Sequence, residues 1–389
     1  MNQAEEVFHR PDLAHKLVAQ VLRIGPGSAV SSGVFLAAPR RTGKSTFVCE
    51  DLRPAFEAEG AFVVYVDLWA NPTAEPGSAI VSAIRKALAA QDGVITRLAK
   101  STGMSKIAIG GGVLQFDLEK VGLGKDVSLT DALVALSDEM KQIIVLVIDE
   151  AQHALTTDQG IAALFALKAA RDELNSSKHH GLRVVCTGSN RDKLAMLRSS
   201  KDQAFYCAPM MNFPTLPKDF AAWFCAKVAL PFTLDADCVW QLFGEAGYRP
   251  ELLNAAADQL RFEFDIDAEE GKKRFAQEVR QLTEEMNQVQ RKAIRSLTPI
   301  QHAVLRVMAA MKQDYAPFEA GTVQRYRKAV ELAGIPSDDI KVDVPGIQAV
   351  LLALQDKKLI WRAARGVYAI EEQSVIDLLA ADGLLNGLA

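Results

Sequence analysis

The order of apolar and polar positions predicts an α/β fold in the first half of the chain. Apolar runs rich in β-branched residues alternate with longer stretches whose apolar positions recur at helical spacing. The runs FVVYV and IIVLVI contain no polar interruption, as strands buried on both faces of a parallel sheet require. We predict helices near residues 44–58, 77–92, 129–140 and 159–175, and strands at Val34–Ala38, Ala61–Asp67, Ile143–Asp149, Leu182–Thr187 and Ala204–Ala208.

The pattern changes twice in the second half. After Pro217 it predicts a helical lid, with helices near residues 217–229, 235–246, 249–261 and 268–295. From Leu297 three further helices, near 299–311, 321–332 and 345–355, precede two short strands, an order that resembles a winged helix-turn-helix. The predicted domains are an α/β core at 1–215, the lid at 216–295 and a winged helix-turn-helix domain at 296–389. The glycine-containing stretch 101–125 reads as a hairpin or loop, and its role stays open.

Length and composition are those of a globular protein with more than one domain. The chain has 389 residues, of which 49% are apolar and 24% charged, so two or three folded units are expected. No apolar run approaches the roughly 20 residues that cross a bilayer, and the segment MNQAEEVFHRPD is too acidic and polar for a secretory signal. We therefore expect a cytoplasmic protein with no membrane partner. The formal net charge of −4 argues against general polyanion binding, so a nucleic-acid contact would need a local basic patch.

The strongest chemical signal lies between the first predicted strand and the helix after it. The segment Ala38-Pro39-Arg40-Arg41-Thr42-Gly43-Lys44-Ser45-Thr46 follows the pattern G-x-x-x-x-G-K-[ST], except that alanine replaces the first glycine. Backbone amides in such a loop, at a helix N-terminus, can bind phosphate oxygens. Lys44 would contact the β- and γ-phosphates of a nucleotide, and the Ser45 hydroxyl would bind magnesium. The alternative is an ordinary strand-to-helix turn rich in small and basic residues.

The predicted strand Ile143–Asp149 ends in two carboxylates, Asp149 and Glu150. Side chains at the carboxyl ends of parallel strands face the ligand crevice of an open α/β sheet. Asp149 would hold the magnesium ion, and Glu150 would polarise the water that attacks in phosphoryl transfer. The alternative is a solvated pair of carboxylates that caps the next helix.

Together these motifs resemble AAA-related P-loop ATPases. The likeness is to the branch that contains archaeal-type ATPases, STAND signalling ATPases and origin-recognition initiators. Its members commonly carry P-R-R-x-G-K-[ST] and D-E-A/D-Q, and many end in a winged helix. The likeness covers residues 5–260 and, more loosely, 297–370. It implies ATP and Mg²⁺ as ligands, slow hydrolysis of ATP to ADP and phosphate, nucleotide binding by residues 39–46, and catalysis by Lys44 and Glu150.

The resemblance implies further contacts with the nucleotide. In P-loop ATPases with an extra strand between the two motif strands, a polar side chain at the end of that strand senses the γ-phosphate, and Ser189 or Asn190 could do so here. Arg249, in the lid turn Gly247-Tyr248-Arg249-Pro250, could reach the γ-phosphate. Arg10 lies where related proteins place a segment that borders the adenine. Arg191 or Arg198 could supply an arginine finger to a neighbouring subunit.

The C-terminal region has a charge opposite to that of the whole chain. Between residues 320 and 365 basic side chains outnumber acidic ones by eight to five, which favours phosphate contacts with duplex DNA. The third helix of this region offers outward positions without arginine or lysine, so strong base reading is not expected. Our first hypothesis is an ATP-dependent molecular switch that acts on DNA or in a DNA-associated assembly. The alternative is a signalling or defence scaffold that oligomerises, or binds protein partners, without binding DNA.

Overall fold

A computed structural model describes residues 7–25, 27–91, 128–176, 178–263, 266–334, 342–364 and 366–388. Its contacts divide the chain into two units. The first contains His9–Ala38 and Ser45–Phe213. The second contains Pro39–Lys44 and Pro214–Ala389, together with the N-terminal residues up to Phe8. The stretch 101–125 lies outside the described residues, so its hairpin or loop stays a prediction.

A five-stranded parallel sheet forms the centre of the first unit. The strands lie in the order β2-β3-β4-β1-β5, so that β4 separates β1 from β3. Every residue of β3 is buried, as its uninterrupted apolar sequence predicts. The predicted α/β fold with a parallel sheet is therefore confirmed. The strand bounds are β1 Val34–Ala37, β2 Phe62–Asp67, β3 Ile144–Asp149, β4 Leu182–Gly188 and β5 Met210–Asn212.

The predicted strand at Ala204–Ala208 is wrong, because the chain turns there. Cys207 has a left-handed backbone with φ of 62°, which an extended strand does not allow. Ala204, Phe205 and Ala208 are buried although they form no strand, and Phe205 packs edge-on against Phe35 with ring centroids 5.7 Å apart. The fifth strand begins two residues later, at Met210, and pairs with β1.

Helices cover both faces of the sheet. Side chains alternate along a strand, so Val145 and Val147 of β3 face one side and pack in a cluster with Leu17 and Phe56. Leu146 therefore faces the other side, and it is fully buried. One helix, Lys44–Phe47, begins at the boundary between the units, because Lys44 is assigned to the second unit and Ser45 to the first. The other helices of the first unit are Pro11–Leu22, Arg53–Ala58, Pro76–Ala89, Leu129–Met140, Asp158–Leu174 and Arg191–Ala195.

The helix that follows the phosphate-loop motif contains a π-helical turn at Val48–Leu52. Pro54 has no backbone N–H to continue the α-helical bonding pattern at this point. Instead the N–H of Arg53 donates to the carbonyl of Val48, five residues earlier. The single helix predicted over 44–58 is thus three short consecutive segments, Lys44–Phe47, Val48–Leu52 and Arg53–Ala58.

The second unit contains two separate apolar clusters. The first lies among helices that follow Pro217, and Phe243 and Phe275 are fully buried in it. The second lies among the C-terminal elements, around Leu305 and Leu351. Two cores are compatible with a lid and a C-terminal domain, although the limits 216–295 and 296–389 stay predictions. The helices of the first cluster are Asp219–Lys227, Ala236–Glu245, Pro250–Leu260 and Ala268–Arg295.

The C-terminal elements follow the predicted order, with one helix added. An antiparallel pair of strands, β6 (Ile360–Ala364) and β7 (Val367–Ile370), follows three helices. The unpredicted helix, Gln373–Ala381, comes last and packs Leu379 into the cluster. The segment after this helix contacts the buried residue Arg306, whose Nε donates to the carbonyl of Leu384 at 2.6 Å. The winged helix-turn-helix interpretation stays a prediction, and its three helices are Pro299–Met311, Ala320–Glu331 and Val344–Asp356.

Candidate functional site

Asp149 is the centre of a polar cluster at the carboxyl edge of the sheet. Its side chain is buried, with only 1% of the residue exposed. The Ser45 hydroxyl donates to Asp149 Oδ2 at 2.6 Å, and the Tyr65 hydroxyl donates to the same oxygen at 3.3 Å. The Thr187 hydroxyl donates to Asp149 Oδ1. The ends of β2, β3 and β4 and the helix after the loop motif therefore meet at one carboxylate.

The environment of this cluster disfavours additional negative charge. Burial, followed by the nearby Asp149 carboxylate, raises the pKa of Tyr65 well above its usual range, so its phenol stays a neutral donor. Burial also raises the pKa of Asp67, the last residue of β2, with Asp149 and Glu150 contributing in the same direction. Three carboxylates at one sheet edge produce a field that favours a cation.

Glu150 turns away from the line of its strand. Its backbone is left-handed, with φ of 53°, a conformation that costs a non-glycine residue of order 1–3 kcal/mol. The turn directs the carboxylate to the end of β4, where Ser189 Oγ donates to Glu150 Oε2 at 2.8 Å. Gln152 Nε2 donates to the same oxygen at 2.6 Å. The two adjacent carboxylates therefore have different sets of partners, as two separate functions would require.

The phosphate-loop motif has two left-handed residues, Arg41 (φ 63°) and Gly43 (φ 80°). No heavy atom lies within 4 Å of a Cβ built on Gly43, so its backbone angle, and not crowding, favours glycine. Ala38 is not among the left-handed residues, so its backbone does not require the glycine that the motif usually has at its first position. The Thr42 hydroxyl donates to the Pro39 carbonyl at 2.8 Å.

The side chains of the motif differ in exposure. Thr42 and Lys44 are each 5% exposed. The exposed members are Pro39, Arg40, Arg41, Ser45 and Thr46. Their roles in nucleotide binding stay predictions. The loop leads directly into Ser45, whose hydroxyl contacts Asp149.

The structure separates the two candidates for a γ-phosphate sensor. Asn190 is 2% exposed, and its Oδ1 accepts hydrogen bonds from the backbone N–H groups of Asp192 and Lys193, both at 3.0 Å. It thus caps the short helix Arg191–Ala195. Ser189 instead contacts Glu150. This placement favours Ser189 over Asn190 as the polar group directed at the cluster.

His9 and Arg10 form hydrogen bonds with Asp51, which lies in the π-helical turn. Asp51 is 8% exposed and accepts from the Arg10 backbone N–H at 3.0 Å and from His9 Nδ1 at 2.8 Å. The Arg10 guanidinium lies 4.8 Å from the centroid of the Phe213 ring, a cation–π distance. Burial lowers the pKa of Arg10, and Asp51 opposes that shift. An adenine contact by Arg10 stays a prediction.

Arg249 lies in the second unit, immediately before the helix Pro250–Leu260. Its Nε donates to the carbonyl of Ala246 at 2.9 Å, and Nη1 lies 3.6 Å from Met286 Sδ. The two residues before it, Gly247 and Tyr248, are both left-handed, so the turn that presents Arg249 is tightly constrained. Its contact with a γ-phosphate stays a prediction.

The two arginine-finger candidates have partners in their own chain. Arg191 Nη1 donates to Asn212 Oδ1 at 2.5 Å, and Arg198 Nε donates to the carbonyl of Ala208. An arginine-finger role for either residue stays a prediction.

The position of β4 decides the fold. It lies between β1, which runs into the phosphate-loop motif, and β3, which carries the two carboxylates. The extra strand between the two motif strands is thus present, and it ends at Ser189 and Asn190. This strand order is the one that the resemblance to P-loop ATPases implies.

Comparisons with solved structures give weak similarity to proteins of the branch that the motifs resemble. The Walker-type ATPase of Pyrococcus abyssi is 17% identical, with 97% of each chain covered and a TM-score of 0.49. The ORC2 protein of Aeropyrum pernix in its ADP form is 14% identical, with 100% of this chain and 98% of that chain covered and a TM-score of 0.48. The ORC1 protein of A. pernix in complex with DNA is 14% identical, with 99% of this chain and 96% of that chain covered and a TM-score of 0.41.

No family model matches the sequence, and no curated protein does. In the part of the chain that the structure describes, no helix is both long and apolar enough to cross a membrane.

Sequence reasoning missed three residues of the cluster: Tyr65, Thr187 and Gln152. A signal existed for two of them, since Tyr65 and Thr187 are polar residues near the carboxyl ends of otherwise apolar strands. The parallel register places Asp67 of β2 beside Asp149, which puts Tyr65 within reach of it. Gln152 gave no comparable signal beyond its place in the motif, because its contact depends on the turn at Glu150.

Proposed function

We propose that this protein is an ATP-binding and ATP-hydrolysing molecular switch of the AAA-like type. The observation that carries the proposal is the hydrogen bond between Ser45 and Asp149, because it joins the residue after the phosphate-loop motif to the carboxylate at the end of β3. These are the two side chains that a nucleotide-bound magnesium ion requires. Lys44 contacts the β- and γ-phosphates, and the loop amides of residues 39–46 bind phosphate oxygens.

The cluster fits magnesium by its chemistry. Ser45 and Asp149 contribute a hydroxyl and a carboxylate oxygen, the hard ligands that Mg²⁺ prefers. Among the described residues no group of three or more His, Cys, Asp and Glu side chains could hold a metal by itself. At phosphate sites Mg²⁺ is usually bound by one or two protein oxygens together with substrate phosphates and water. When bound, the ion neutralises charge on the phosphates. Tyr65 and Thr187 orient the Asp149 carboxylate toward it.

We expect Asp149→Asn to remove the magnesium dependence of ATP binding. The amide keeps the shape of the carboxylate but loses its charge. Titration of a fluorescent ATP analogue should show that Mg²⁺ tightens binding to the parent protein by about tenfold or more, and that the variant binds equally with Mg²⁺ or EDTA. Asp202→Asn, at an exposed position of the same unit, should behave as the parent. A variant that keeps the full magnesium effect would exclude Asp149 as the metal ligand.

The proposed target of the switch is duplex DNA, or an assembly on DNA. The supporting observation is the exposure of basic side chains in the C-terminal elements: Arg327, Lys328, Lys357, Lys358 and Arg362. The outward residues of the helix Val344–Asp356 include Gln348, Ala349, Leu352 and Gln355, all exposed and none basic. Contact with phosphates, and little reading of bases, is the mode that this distribution supports.

We expect the double variant Arg327→Ala with Lys328→Ala to weaken duplex binding by about tenfold or more at low salt. Each lost phosphate contact should also reduce the slope of log K against log salt concentration by about 0.9. Fluorescence anisotropy over a range of salt concentrations measures both quantities. The control removes two exposed basic residues elsewhere, Lys272→Ala with Arg274→Ala.

The outcome of that experiment also separates the alternatives. If the two double variants bind equally, the helix Ala320–Glu331 does not contact DNA. If light scattering then detects nucleotide-dependent assembly of a protein that binds no duplex, the scaffold function replaces the DNA-associated one.

A further inference from the structure

Gln152 is a buried polar residue that contacts the Glu150 carboxylate. It lies in the 3₁₀ turn Ala151–Thr156 directly after the two carboxylates and is 1% exposed. Its Nε2 donates to Glu150 Oε2 at 2.6 Å. Its Oε1 is buried and has no hydrogen-bond partner among the described residues. A buried amide that leaves its oxygen unpaired is costly, so packing alone is a poor reason for glutamine at this position.

The same oxygen of Glu150 has a second source of donors. The Ser189 hydroxyl donates to Glu150 Oε2 at 2.8 Å, and the Ser189 backbone N–H lies 3.4 Å from it. Gln152 approaches from the turn after β3, and Ser189 approaches from the end of β4. One carboxylate oxygen is therefore held from two independent elements of the same unit.

The fold makes room for this arrangement at Gly188. A Cβ at that position would lie 2.5 Å from Gln152 Oε1 and 3.0 Å from Leu194 Cδ1. Gly188 is not among the glycines with positive φ, so steric space, and not backbone conformation, favours glycine there. The close approach of the Gln152 amide to β4 is thus built into the strand itself.

We propose that Gln152, together with Ser189, is a positioning residue that fixes the orientation of Glu150 for ATP hydrolysis. This inference rests on the proposed function. In that step the Glu150 carboxylate takes the proton of the attacking water. An O–H bond of water breaks and its proton moves to the carboxylate, while the water oxygen bonds to the γ-phosphorus. The bond from that phosphorus to the β–γ bridging oxygen breaks, and ADP leaves with the electron pair.

The test compares Gln152→Ala, Ser189→Ala and Ser189→Thr. A carboxylate that loses one anchor samples unproductive orientations, so kcat should fall by about tenfold for each alanine variant. The KM for ATP of Gln152→Ala should stay within about twofold of the parent value, since Gln152 is not proposed to bind nucleotide. The affinity for ADP should stay within about twofold in both alanine variants, because ADP lacks the γ-phosphate that Ser189 could contact. Ser189→Thr keeps the hydroxyl and should retain most of kcat. Gln159→Ala, at an exposed position of the same unit, is the matched control.

A double-mutant cycle with Glu150→Gln separates positioning from general damage to the fold. If Gln152 acts through Glu150, adding Gln152→Ala to Glu150→Gln should not lower kcat further. A further tenfold loss in that background would overturn the proposal.

The remaining outcomes are also decisive. If Gln152→Ala fails to fold by circular dichroism, the Ser189 pair gives the answer. If the parent hydrolyses ATP but both alanine variants keep its kcat, Gln152 and Ser189 do not position Glu150, and the proposed function stands. If the parent neither binds nor hydrolyses ATP, the proposed function fails, and this inference fails with it.

Discussion

Lys44→Ala is expected to weaken the binding of ATP by about 100-fold, equivalent to about 2.7 kcal/mol. Lys44 is the first residue of the helix after Gly43, and only 5% of it is exposed. The variant loses the point charge that would neutralise the β- and γ-phosphates, and no other lysine lies within residues 39–46. Equilibrium titration with a fluorescent ATP analogue measures the change.

Two controls make this result specific. Lys16→Ala removes an exposed lysine from the helix Pro11–Leu22 and should leave the affinity unchanged. Lys44→Arg keeps the charge, but its planar fork has a different shape, so it should restore binding only in part. If Lys44→Ala binds ATP as tightly as the parent, the loop does not bind the triphosphate.

The second large effect is expected from Glu150→Gln, which should lower the rate of hydrolysis by about 100-fold or more while ATP stays bound. General-base catalysis contributes roughly 10²–10⁴ in rate, and an amide cannot accept the proton. Glutamine keeps an oxygen that can accept the hydrogen bonds from Gln152 and Ser189, so the fold around it should persist. Single-turnover release of phosphate measures the rate, and nucleotide titration measures the affinity.

The exposed Glu59→Gln serves as the matched control for the charge change. An unchanged hydrolysis rate in Glu150→Gln would show that another group activates the water. A parallel loss of ATP binding would instead show that Glu150 supports the nucleotide site as a whole.

The sheet could be predicted because each strand is recognisable from a short stretch of sequence. β2 is a short run of buried and half-buried residues and β3 is a short run of buried ones, and the two carboxylates lie at the end of β3 and directly after it. Parallel strands bring their carboxyl ends to one edge, so the prediction of a site there needed only the order of the elements. The phosphate-loop motif was equally local, since it lies between one strand and one helix.

The contacts within the site could not be predicted, because they depend on which strands are neighbours. Tyr65 reaches Asp149 only because β2 pairs with β3 in a register that aligns their last residues. Ser189 reaches Glu150 only because β4 is the next strand and because Glu150 is left-handed. The misplaced fifth strand had a similar cause, since a buried turn around Phe205 has the composition of a strand.

The π-helical turn at Val48–Leu52 gives the two parts of one helix different azimuths. An α-helix rotates by about 100° per residue, and one additional residue offsets all later positions by that angle. The segment that begins at Lys44 can therefore keep the azimuth that Ser45 needs, while Arg53–Ala58 rotates to place Phe56 in the interior, where it is fully buried. The direction of the Ser45 hydroxyl and the burial of Phe56 are thus set by separate helical segments.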